Sequence, residues 1–170
     1  PWLLPILSAC TMGSQQGYEP AQPIAYSHAL HAGEYQMNCL YCHSGAEKSR
    51  HAGVPAASVC MNCHTQITKV GGVESAEIKK LTTAVDAGTP IEWTRVHRLP
   101  DFAYFNHSRH VAAGVVCQTC HGPIQTMVRV QQVERMTMGW CLDCHRLTLA
   151  SPEAAAKKLN PPTDCAACHY

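Results

Sequence analysis

Five times in this chain two cysteines stand three positions apart with a histidine directly behind them. The pentads are Cys39/Cys42/His43, Cys60/Cys63/His64, Cys117/Cys120/His121, Cys141/Cys144/His145 and Cys165/Cys168/His169. Two thiols at this spacing can add to the two vinyl groups of one haem. The next residue then sets an imidazole beneath the iron, which is why Cys-x-x-Cys-His marks covalent c-type haem attachment. Zinc is the competing chemistry, but a zinc ribbon needs two knuckles per metal and leaves the residue after the second cysteine unrestricted. Here His follows every knuckle, and the knuckles are odd in number. The pattern reads as five covalently bound haems c, each pentad histidine serving as one axial ligand.

The second axial ligands must come from elsewhere. Six further histidines remain: His28, His31, His51, His97, His107 and His110. Haem iron takes His or Met axially, so two readings stay open. Either one histidine is spare, or at least one haem takes methionine and more histidines are spare. Met127, Met136 and Met138 are the methionine candidates. Met12, Met37 and Met61 rank behind them, Met61 because it lies inside its own pentad. The two His-x-x-His pairs, His28/His31 and His107/His110, are the foremost imidazole candidates, followed by His51 and His97. Within one pair the two rings can serve different haems and lock neighbours together.

The elements that must position these residues form a repeat. AYSHALHAGEYQMNCLYCHSG and AYFNHSRHVAAGVVCQTCHGP both run Ala-Tyr, His-x-x-His, a Gly, then a pentad. Each copy is followed by a second pentad, and a fifth closes the chain. This predicts residues 1–23 as an anchor remnant or linker and 24–170 as one pentahaem domain. Within the domain, 24–65 is a first dihaem module, 66–101 a linker with a helix, 102–145 a second dihaem module and 146–170 the fifth-haem segment. The linker helix is capped by Ser75, carries Ile78, Leu81 and Val85 on one face, and stops at Gly88 and Pro90. A second short helix is expected over Pro152–Leu159, with Ser151 capping and Pro at its first position. Short helices are expected to carry the pentads, and no run of alternating strand residues stands out. The fold class is mainly α with extensive irregular chain, a multihaem, class III-like cytochrome c held by its haems.

Composition agrees. The 170 residues contain 11 cysteines, ten of them in pentads, and only 6% aromatic residues. About 34 residues per haem is far below what a self-sufficient core needs, so porphyrin must fill much of the interior. The formal charge of +1 becomes about −4 oxidised and about −9 reduced once the haems and their propionates are counted. That and the lack of a basic run argue against nucleic-acid binding. Covalent haem attachment implies export to the outer, periplasmic side of the membrane. Pro1–Gly13, PWLLPILSACTMG, is apolar but too short to span a bilayer. It reads as the end of a membrane anchor, as a lipobox in which Cys10 would be lipidated, or as a docking tail.

No nucleophile motif, phosphate loop or carboxylate pair suggests bond-making chemistry, so no catalytic residue is expected. With spare imidazoles available every iron can be six-coordinate, and a saturated iron passes electrons rather than binding substrate.

Longer stretches carry a resemblance. The doubled His-x-x-His…Cys-x-x-Cys-His unit resembles the cytochrome c3/c7 family. His31-Ala-Gly-Glu, Glu47-Lys-Ser-Arg-His-Ala-Gly-Val-Pro, Val59-Cys-Met-Asn-Cys-His, Ile91-Glu-Trp-Thr-Arg-Val-His-Arg-Leu-Pro-Asp-Phe and Met138-Gly-Trp-Cys-Leu-Asp-Cys-His-Arg are similar to the pentahaem subunit of bacterial alternative complex III. The likeness runs from about Ile24 to His169. It implies a haem wire in a membrane quinol oxidoreductase. Electrons would arrive from an iron–sulfur, molybdopterin-type subunit beside polytopic quinol-oxidising subunits. They would leave to a monohaem cytochrome c, a copper protein or a terminal oxidase. It also implies one Met-ligated haem, for which Met138 is the first candidate and Met127 the second. A free-standing periplasmic shuttle, a multihaem reductase and a quinol dehydrogenase are the competing functions.

Overall fold

The computed structural model describes residues 15–170. The anchor and lipobox readings of Pro1–Gly13 and Cys10 fall outside the described residues. Regular structure is sparse and mostly helical. The first repeat opens with a π-helical turn, Ala29–Glu34, followed by α1 (Cys39–Cys42), a 3₁₀ turn at Ser44–Glu47 and α2 (Ala57–His64). The linker carries α3 (Ala76–Asp86). The second repeat has α4 (His107–Ala112), α5 (Gln118–His121), a 3₁₀ turn at Ile124–Thr126 and α6 (Met138–Leu149). The chain ends with α7 (Pro152–Ala156) and a 3₁₀ turn at Cys165–Ala167.

Local chemistry sets these boundaries. Asn38, Ser75, Thr137, Ser151 and Asp164 each accept a backbone N–H with their side chain at a helix start, satisfying donors the helix leaves open. The linker helix starts and stops where its sequence demands. The helix expected over Pro152–Leu159 is shorter. It ends at Ala156 because Lys158 turns left-handed (φ +54°) and the Leu159 N–H closes back on the Ala154 carbonyl. A small hairpin was not foreseen. Strands β1 (Lys69–Val70) and β2 (Val73–Glu74) pair antiparallel across Gly71-Gly72, both at positive φ, the backbone that tight hairpins favour.

The two repeats interlock reciprocally. The turn after the first pentad, Ser44–Glu47, packs on α4 of the second repeat, and the turn after the third pentad, Ile124–Thr126, packs on the π-helical turn of the first. Backbone bonds fasten both contacts: Ala29 N–H to the Met127 carbonyl (2.9 Å), His107 N–H to Arg50 (3.3 Å) and Ser108 N–H to Ser49 (3.1 Å). Gly33 is required here, since a Cβ would run into the Gln125 carbonyl. Gln132, 1% exposed, ties further segments together. Its amide receives Arg98 N–H and donates to the Glu134 carbonyl, while its backbone pairs with Gly17 and Tyr18.

Side chains alone do not make an interior. Among the described residues the buried apolar ones are Ala46, Leu81, Val96 and Ala154. The accessible surface is 12342 Å², whereas a folded chain of 18.5 kDa is expected to expose about 8,200 Å².

Candidate haem sites

Each His-x-x-His delivers one ring to each of two pentads. His28 faces His43 with ring centres 6.4 Å apart and planes within 8°, and His31 faces His64 at 6.2 Å and 63°. In the second repeat His107 faces His121 at 6.3 Å and 15°, and His110 faces His145 at 6.0 Å and 30°. A metal about 2 Å from each ligating nitrogen, with about 1 Å more to each ring centre, sets two imidazoles roughly 6 Å apart. The four pairs are therefore spaced for one atom between them.

Six of the eight paired rings, and His169, are also turned the right way, whereas the His28 Nδ1 is buried without a partner. Nδ1–H donates to a backbone carbonyl from His31 (Ser27, 2.9 Å), His43 (Gly53, 2.7 Å) and His64 (Ile67, 2.8 Å). The same holds for His107 (Arg50, 2.8 Å), His110 (Asn106, 2.9 Å), His145 (Pro162, 2.6 Å) and His169 (Phe102, 2.8 Å). A ring fixed in this tautomer presents the Nε2 lone pair to metal. Burial keeps key rings neutral, the form that ligates. Burial first, then His43 and His31, holds His28 down to about 4. Burial, then His97, His107, His43 and His28, holds His121 down to about 3. Burial also lowers His110, a shift its bond to Asn106 opposes.

The donor set fits haem c. The ten pentad cysteines form no disulfides among the described residues, and they are not equally covered. Cys63, Cys117, Cys144 and Cys165 are exposed, whereas Cys39, Cys42, Cys60, Cys120, Cys141 and Cys168 are half-buried. Cys63 differs from its partner Cys60 because it lies in the last turn of α2, where the chain leaves the helix. Its carbonyl there accepts the Gln66 and Ile67 N–H groups (3.0 and 2.9 Å). Among the described residues no three His, Cys, Asp or Glu side chains gather as a chelating cluster. Imidazoles meet in twos, which suits axial ligation and not tetrahedral zinc.

Five candidates stand apart from these pairs. His169 has no imidazole opposite it among the described residues and instead lies beside Phe102, at 5.8 Å. His97 packs edge-on against His121 at 4.3 Å, too close to share a metal with it. Its ring is held down to about 4 by burial, and its Nε2 is buried without a partner. His51 is exposed. Met138 is 67% exposed at the start of α6, while Met127 lines a surface cleft with Glu19, Pro123 and Val133.

Sequence reasoning missed the ring supports. Tyr26 packs edge-on against His28 (4.9 Å) and stacks on His31 (4.4 Å). Phe105 does the same for His107 (4.8 Å) and His110 (4.4 Å). The signal was an aromatic residue two places before each His-x-x-His. Matching the Ala-Tyr dipeptides instead pairs Tyr26 with Tyr104, one residue out of register. Tyr104 stacks on Tyr170 at 4.4 Å, in the last segment. The glycines also mislead. The left-handed position three residues before the pentad is Gly114 (φ +83°) in the second repeat and Gln36 (φ +53°), not Gly33, in the first.

Paired thiols followed by oriented, spaced imidazoles are the donor set that covalent haem c requires. Residues 103–170 match the family described as cytochrome c7 and related cytochrome c. A curated relative is the multihaem cytochrome c subunit of menaquinone reductase from Nitratidesulfovibrio vulgaris. It is 32% identical over 100 residues, which are 59% of this chain and 45% of the relative. The chain thus spans less than half the length of that relative. Among the described residues no helix is long and apolar enough to cross a membrane.

Proposed function

We propose that the chain is a five-haem electron-relay subunit of a membrane-associated, quinone-linked oxidoreductase of the menaquinone reductase kind. The observation that carries the relay is the set of four imidazole pairs 6.0–6.4 Å apart, each joining a pentad histidine to a His-x-x-His ring. His28 with His43 and His31 with His64 hold two haems of a first module, the second of them clamped by Cys60 and Cys63. His107 with His121 and His110 with His145 hold two of a second. Cys165, Cys168 and His169 hold a terminal one, with Met138, Met127, His51 and His97 as candidates for its distal ligand. When bound, haem c supplies a one-electron redox centre. The pentad cysteines would anchor it by thioethers, the paired imidazoles would ligate its iron, and carbonyl-bound Nδ1 atoms would fix ring orientation and basicity.

The likeness to a menaquinone reductase subunit supports the complex and a direction of electron flow toward quinone. The sequence stretches similar to alternative complex III favour a second reading. In that reading quinol is oxidised in a polytopic partner, electrons arrive through an iron–sulfur subunit and leave to a monohaem cytochrome c, copper protein or oxidase. Both place the chain on the periplasmic face.

Native membranes solubilised in mild detergent, with this chain purified and its companions identified, test the assignment. Copurification with membrane subunits and electron transfer to a menaquinone analogue is expected. Quinol oxidation instead would select the second reading. Recovery alone from the soluble periplasmic fraction would leave a free shuttle.

A further inference from the structure

We infer that the five covalent sites follow one another in space in the order second, first, third, fourth, fifth, so that the second and fifth, not the first and fifth, are the ends of the relay. This rests on the five-haem reading and adds which sites are interior and which are terminal.

The second and first sites are neighbours. Their distal rings, His31 and His28, share one π-helical turn, and Asn62 inside the second pentad donates to the hydroxyl of Tyr41 inside the first (3.0 Å).

The first and third sites meet at the interlock. The His107 ring, distal to the third site, donates to the Arg50 carbonyl just after the first pentad. Ala29, next to the first site's distal ring, donates its N–H to the Met127 carbonyl shortly after the third pentad (2.9 Å). The repeats thus meet through the turns that follow their first pentads, Ser44–Glu47 on α4 and Ile124–Thr126 on the π-helical turn.

The third and fourth sites are joined as the second and first are. His107 and His110 lie on α4. The fourth and fifth follow. His145 Nδ1 donates to the Pro162 carbonyl, three residues before the last pentad (2.6 Å). Cys141 is raised by burial and then by Cys168. The last segment also touches the stretch ahead of α4 directly, where the His169 Nδ1 donates to the Phe102 carbonyl (2.8 Å). Tyr104, bonded through its N–H to the Cys168 carbonyl, lies under the Arg50 guanidinium at 4.9 Å.

The order is tested on the holoprotein by locating its irons with anomalous scattering at the iron absorption edge and assigning each to its pentad along the chain. The expected nearest neighbours are second–first, first–third, third–fourth and fourth–fifth, with the second and fifth irons farthest apart. A second-site iron nearest the third or fourth site, or a fifth-site iron nearest the first or second, overturns the order. The count is a separate readout. Fewer than five irons would sink the five-haem reading, while the adjacency of those present still decides the order. Redox titration gives a solution check. His28→Met raises one haem's potential, so it is reduced earlier and its added negative charge lowers the midpoints of two neighbours. His31→Met lowers one. Two lowered midpoints from His31→Met would contradict a terminal second site.

Discussion

Four of the candidate sites draw both imidazoles from a repeated unit, whereas the site at His169 draws one ring from outside it. In the repeats an aromatic side chain, Tyr26 or Phe105, braces two distal rings that face two different pentads. One local turn thereby builds two sites and couples them. The terminal site has no such unit. It hangs on two bonds to the stretch ahead of α4, the His169 ring Nδ1 to the Phe102 carbonyl and the Tyr104 N–H to the Cys168 carbonyl. Repeated sites should therefore fall together, and the terminal one should fall alone.

The largest effect will come from blocking haem attachment altogether. With so few buried apolar side chains, haem-free chain should show no cooperative melting by circular dichroism. A cooperative transition would mean the repeats fold on their own. Next, Cys117→Ala with Cys120→Ala strikes the interlock and should cost more than one haem per chain by mass spectrometry. Cys165→Ala with Cys168→Ala should cost one. Equal losses would erase the contrast. His110→Met should raise the midpoint of one haem by an appreciable part of the ~0.8 V span that axial ligands cover, leaving haem content unchanged. Gly33→Ala should lower stability by about 1–3 kcal/mol, because the new methyl has no room beside Gln125. The smallest effect comes from an exposed carboxylate. Glu77 is held below the usual carboxylate range by its bonds to Lys80 and the Ala25 N–H, despite slight burial. Glu77→Gln should cost under about 0.5 kcal/mol for so exposed a pair. A depressed carboxylate stabilises above its unfolded pKa, so the difference between Glu and Gln should fade as pH drops through the acidic range.

The pentads, both His-x-x-His pairs and the linker helix were legible because each is written in short-range spacing. Ser75 capping and the Ile78/Leu81/Val85 face needed nothing beyond their own neighbours. The partner of each ring was not legible. Whether His31 faces His43 or His64 depends on how a turn sits against two helices. Nor was the uneven cover of a pentad's two thiols, since Cys60 and Cys63 read alike until the end of α2 is located. The hairpin was missed because two-residue strands that are exposed on both faces show no alternation, and only Gly71-Gly72 announced it. Sequence alignment also favoured identical letters, Tyr26 with Tyr104 and Gly33 with Gly114. Geometry instead matches Tyr26 with Phe105 and Gln36 with Gly114, positions that share a backbone role and not a residue type.

The reciprocal packing of the repeats carries a consequence for biogenesis. Every facing pair of rings closes within one repeat: His28 to His43 and His31 to His64 are both complete before residue 65. A chain threaded outward from its N-terminus can therefore finish two attachment sites while the second repeat is still behind the translocation machinery. The second repeat then matures by the same local rule. Only the docking of one finished half onto the other must wait for the whole molecule, which makes maturation a sequence of small closures followed by one assembly step.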